Sequence, residues 1–181
     1  MMAVRPILKM GTPSLFEKSL PWPKDKFDSP ELHALLADLK DSMVAAGGAG
    51  LAAPQIGENV RVVIFEVDDN PRYPNREHIP FTVLINPELT PISTQQENDW
   101  EGCLSVPGLR GLVPRFPAIR YTGYDPFGKR IDRSVDGFHA RVVQHETDHL
   151  DGVLYPMRMK DMTQFGYTEV LFPEQAGMDE E

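Results

Sequence analysis

The sequence predicts an α+β protein in which antiparallel sheets pack around a central helix. Three observations carry this. Apolar residues recur at helical spacing in two separate stretches, 28–48 and 136–152. Between them lie runs rich in β-branched and aromatic residues, punctuated by Gly and Pro. The order is helix, strands, helix, with no strand–helix alternation of the kind that builds a parallel sheet.

The first helix is "DSPELHALLADLKDSMVAAGG". Asp28 or Ser29 can cap it, Pro30 suits its first turn, and Glu31 favours the positive end of its dipole. Leu32, Leu35, Leu36, Leu39 and Met43 form the buried face, and Gly47 and Gly48 end it. A loop of small residues follows, then a strand, "VRVVIFEV" (60–67). The stretch "DDNPRYPNREHIP" reads as a long loop over 68–80, and "FTVLINPEL" as a buried strand closed by Asn-Pro. "SVPGLRGLVPRFP" is too rich in Gly and Pro for a helix. "AIRYTGYDPFGKRIDRSV" predicts a hairpin turning at "DPFG". The second helix is "DGFHARVVQHETDHLDG", with Asp136 as its cap and Gly152 as its stop. The remainder, from about residue 156, predicts a short, partly extended tail. The whole of 1–181 reads as one catalytic unit.

Composition narrows the class. The 181 residues are 41% hydrophobic, enough for one sizeable core. No run is long and apolar enough to span a membrane. The opening residues lack the apolar core of a secretory signal, so a cytoplasmic location is expected. A net charge of −9 argues against a direct nucleic-acid site. The one cysteine, Cys103, excludes an internal disulfide and leaves a thiol for chemistry.

The informative motif is "HETDH". On a helix, His145 and His149 lie one turn apart on one face and can offer two imidazoles to one ion. Glu146 points about a quarter-turn away, where it would serve water as a general base. Phe138 and Val142 continue the histidine face toward the helix start. This makes the second helix the expected metal-binding centre of the fold.

A catalytic site of this kind needs a third protein ligand. The form with a third histidine beyond the glycine fails, because that place is Tyr155. Glu169 fits a glutamate-ligand form by spacing, although its surroundings do not read as a second ligand helix. Cys103 is the other candidate, since a thiolate suits zinc or ferrous iron.

With "GAGLAAPQ" (48–55), "EGCLS" (101–105) and "QHETDHLDG" (144–152), the sequence closely resembles the peptide deformylases, and the likeness extends through the opening "RPILKMG". The resemblance implies a metal-dependent hydrolase that removes formate from the N-terminal formyl-methionine of new polypeptides. It implies that Cys103, His145 and His149 hold one divalent ion, generally Fe2+, with Zn2+, Ni2+ or Co2+ also accepted. Glu146 would take a proton from water and deliver it to the departing amine. Gln55 and the backbone N–H of Leu104 would hold the formyl oxygen. Gly50, Glu101, Phe138 and Val142 would line the substrate, Gly50 through its backbone, with Phe138 and Val142 as an apolar slot for the methionine side chain. Glu101 and Arg115 match positions that pair beside the metal loop. Some members end in a long helix thought to dock on the ribosome; the short tail here implies at most a transient ribosome contact.

Overall fold

A computed structural model describes residues 3–71 and 74–175. The acidic end of the tail and two positions of the 68–80 loop lie outside them. No described helix is long and apolar enough to cross a membrane.

The first helix, α1, spans Pro30–Ala45 and is capped by Ser29, whose hydroxyl accepts the Leu32 N–H. Strands β1 (Gly50–Ala52), β2 (Val62–Val67), β3 (Ile79–Pro91), β6 (Ala118–Tyr124) and β7 (Arg130–Asp136) form one antiparallel sheet in the order β1-β2-β3-β6-β7. Strands β4 (Glu97–Cys103), β5 (Val106–Arg115) and β8 (Phe165–Tyr167) form a second, in the order β4-β5-β8. The second helix, α2, spans Gly137–Leu150, and a one-turn helix, α3 (Thr168–Leu171), follows β8.

The larger sheet is covered on both faces, which explains the unbroken apolar run of β2. Val62 and Ile64 pack with Leu32, Leu39 and Met43 of α1. Val63 and Phe65 point the other way, onto Ala140, Val143 and Leu150 of α2. The alternation is the period of two that places neighbours on opposite faces. The smaller sheet closes over the far side of α2 around Leu15, Val113, Leu154 and Tyr155. The helix at the centre is buried from Ala140 to Leu150.

Three local expectations change. Strand β3 does not stop at Asn-Pro. It runs on to Pro91, because Asn86 takes the left-handed conformation and bulges the ladder between Ile85 and Glu88. The Asn86 amide is fixed there, accepting from Trp22 N at 2.8 Å and donating to Trp22 O at 3.1 Å. Asp136 makes no side-chain cap on α2. Glu77, from the 68–80 loop, does so instead, accepting the His139 N–H at 2.8 Å. In the tail, "TEVL" forms the single turn of α3 where an extended chain was expected.

Candidate metal centre

The centre joins α2 to the β4–β5 hairpin. The ladder register shifts between Glu101 and Cys103, and Leu104 and Ser105 make the turn into β5. Cys103 therefore ends β4 pointing into the interior, 5% exposed. Gly102 has no room for a side chain, since a Cβ there would meet the Arg110 guanidinium. Opposite, His145 and His149 leave one face of α2 with ring centroids 5.1 Å apart. Cys103 Sγ and one nitrogen from each histidine lie within 4.8 Å of one another, all but out of contact with solvent. His149 Nε2 is 3.4 Å from the sulfur.

The donor set fits a metal ion. One thiolate and two imidazoles suit zinc or ferrous iron, and leave a divalent ion net positive. Glu146 adds an independent sign. Its Oε2 is buried and has no hydrogen-bond partner among the described residues. Burial pushes its carboxyl up to about 7, against the opposing pull of His145. A carboxyl poised near neutrality beside such a cluster suits proton transfer.

The two histidines differ in support. Glu101 Oε1 lies 2.7 Å from His145 Nδ1, which turns Nε2 toward the cluster. Glu101 is held by Arg115 through Nε at 2.9 Å and Nη2 at 3.0 Å, and by Arg141 Nη1 at 2.8 Å. Arg115 Nη1 also bonds Asp148, which is paired with Arg158 at 2.9 Å and 3.1 Å. Burial opposes ionisation of Glu101, but Arg115 and His145 outweigh it and hold the carboxyl well below the usual range. Burial likewise disfavours a charged His145, yet Cys103 and Glu101 raise its pKa well above the ordinary value. His149 has no such help. Its Nδ1 is buried without a partner among the described residues, and burial, then His145, lower its pKa.

Each expected residue has a place. Gln55 is buried, accepts from Ala52 N at 2.9 Å, and sends Nε2 to Ser105 Oγ at 3.0 Å and to Cys103 Sγ at 3.7 Å. Gly50 lies under Glu146: a Cβ there would come within 2.7 Å of the Glu146 carboxyl carbon. Gly50, Gln55, Glu101, Leu104, Phe138 and Val142 all border one cleft beside the cluster, of about 40 Å³ free volume. The Glu101–Arg115 pair forms as expected. Glu169 is exposed on α3 and does not join the cluster, which removes the glutamate-ligand alternative. The sequence reading missed Arg141, Asp148 and Glu77. Of these, Arg141 carried a signal, for it sits one turn before His145 on the ligand face.

Comparison with known proteins settles the family. The polypeptide deformylase family model matches residues 4–165. The chain belongs to the polypeptide deformylases. Members of this family remove the N-terminal formyl group from nascent polypeptides. Peptide deformylase 1 of Nitrosomonas europaea is 59% identical over 98% of this chain and 99% of its own. Peptide deformylase 2 of Ralstonia nicotianae is 60% identical over 94% and 96%. Among solved structures, the Met-Ala-Ser-bound class I type b deformylase of Acinetobacter baumannii superposes with a TM-score of 0.85 at 35% identity, covering 88% of this chain and all of that one. The Thermotoga maritima deformylase gives 0.78 at 31% identity, covering 88% and 99%.

Proposed function

We propose that this deformylase takes N-formyl-methionyl peptides in the cytoplasm and works with one divalent ion, ferrous iron in the cell, held by Cys103, His145 and His149. The observation that carries the reading is the juxtaposition of that buried donor set with an unpartnered glutamate, Glu146, at the floor of a cleft between two strand edges. When bound, the ion acts as a Lewis acid that makes water a better nucleophile and polarises a carbonyl.

The chain's own residues do the rest. Strands β1 and β4 are the outer strands of their sheets, and both border the cleft. An extended peptide can lie between them and pair by its backbone, with Gly50 offering the first contact. Phe138 and Val142 flank the methionine side chain. The free volume is small, so Phe138 and Leu104, both only partly buried, turn aside to admit it. The Gln55 amide and the Leu104 N–H donate to the formyl oxygen as it gains charge; donors so placed are worth about 3 kcal/mol each in comparable sites. Gln55 exchanges only its long contact to the sulfur for this. Glu146 takes a proton as water adds to the formyl carbon, then gives it to the amine as the C–N bond breaks. Formate and a free N-terminus leave. Glu101 borders the cleft, but both its oxygens are committed to Arg115, Arg141 and His145. We assign it to positioning His145, not to touching substrate.

Formate release from formyl-Met-Ala-Ser, measured on protein purified without air and loaded with iron or nickel, tests the reading. No release with metal bound overturns it. Glu146→Gln should retain the ion and lose turnover by at least about 100-fold.

A further inference from the structure

The buried arginine beside the proposed methionine slot is not fully used by the protein. Arg141 is only 8% exposed and lines the cleft together with Phe138, Val142 and His145. A guanidinium offers five N–H groups. Nη1 spends its two on Glu101 Oε2 and Val113 O, each at 2.8 Å. Nη2 spends one on Glu97 O at 2.9 Å. Among the described residues, the Nε–H and the second Nη2 hydrogen have no partner. No Arg141 atom is among the fully buried atoms left without a partner, so these hydrogens stay open to an incoming acceptor, and an arginine charge cannot be removed by titration.

From this we propose that Arg141 is a specificity-determining residue, and that the enzyme also deformylates peptides beginning with N-formyl-methionine sulfoxide. The proposal rests on the deformylase reading above and deepens it. Oxidation turns the weakly accepting thioether into a strongly polar S=O. A slot lined only by Phe138 and Val142 would reject that group, because burying it unpaired is unfavourable. An unspent guanidinium N–H reverses the preference: it binds the sulfoxide oxygen and is left unsatisfied by a hydrocarbon of the same shape. The side chain is unchanged by the reaction; only the formamide bond is cut.

The test compares three peptides on the iron- or nickel-loaded enzyme: formyl-Met-Ala-Ser, its sulfoxide, and formyl-norleucine-Ala-Ser. The expected result is a kcat/KM for the sulfoxide within about tenfold of methionine and no lower than that for norleucine. A sulfoxide rate more than about 100-fold below norleucine, the pattern of a wholly apolar slot, overturns the proposal while leaving the deformylase reading intact. Failure of all three peptides overturns both. Arg141→Met should lower the sulfoxide-to-methionine ratio at least about tenfold, with partial recovery in Arg141→Lys; an unchanged ratio removes Arg141 from the role. Should the variant not retain metal, binding of Met-Ala-Ser and its sulfoxide to the wild-type protein, followed by Trp100 fluorescence, still decides. Binding of the sulfoxide at least about 100-fold weaker than that of Met-Ala-Ser counts against the idea, and comparable binding supports it.

Discussion

His145 and His149 stand one turn apart on the same helix and face the same sulfur, yet the protein holds them in opposite ways. His145 is fixed by charge, through Glu101 and the arginines behind it. His149 has only the Cys103 sulfur and packing to hold it, its outer nitrogen facing no described acceptor. The pKa directions follow: His145 is pushed up and His149 down. The contrast shows that a symmetric motif can carry an asymmetric site. One ligand is tuned from outside the helix, and the other depends on the fit of the core.

The sharpest way to break this contrast is at Glu101. Glu101→Ala should weaken metal binding by about 10- to 100-fold, the usual cost of removing a ligand's supporting carboxylate. It also leaves Arg115 and Arg141 buried without their shared partner, worth about 3–5 kcal/mol of stability. Competition with a chelator and urea unfolding measure the two. Arg115→Ala comes next. Glu101 keeps Arg141 but loses its fork, and metal should be released about tenfold faster. If metal affinity and turnover are both untouched, the support does not run through Arg115. The effect should fade at the surface. Arg158 is half-exposed, so Arg158→Ala should cost under about 1 kcal/mol and leave metal affinity unchanged.

The smallest effect sharpens the contrast instead of breaking it. In metal-free protein, ring signals followed by NMR should show His145 losing its proton above the ordinary histidine range and His149 below it. The stability signs differ accordingly. The part from His145 is present at pH below its unfolded value and is lost as pH rises through the raised one. The part from His149 is present above its unfolded value and is lost as pH falls toward the lowered one. Both rings titrating together would end the asymmetry.

Local features were the legible ones. The α1 cap at Ser29, the 118–135 hairpin and the HETDH helix rest on residues close in sequence, where periodicity and turn chemistry act directly. The ligand trio was reached through the motif set that carries the family likeness. What stayed hidden depends on partners distant in sequence. Nothing in "NREH" marks Glu77 as the cap of a helix sixty residues later. Nor does "HARVV" reveal that Arg141 reaches back to Glu101, Val113 and Glu97. The Asn86 bulge was hidden for a related reason. Asn-Pro usually stops a strand, and here Trp22, far upstream, supplies the bonds that let it continue.

The two bare strand edges beside the cleft also set a clock. An unpaired edge ordinarily invites other sheets to add to it, with aggregation as the hazard. In the proposed complex the client's extended amino terminus lies between these two edges, with Glu146 at the bottom of the cleft. A client whose first residues have already entered a helix or a sheet of its own cannot supply that chain. On that binding mode the reaction competes with folding of the client, and reaches each new amino terminus while it is still slack.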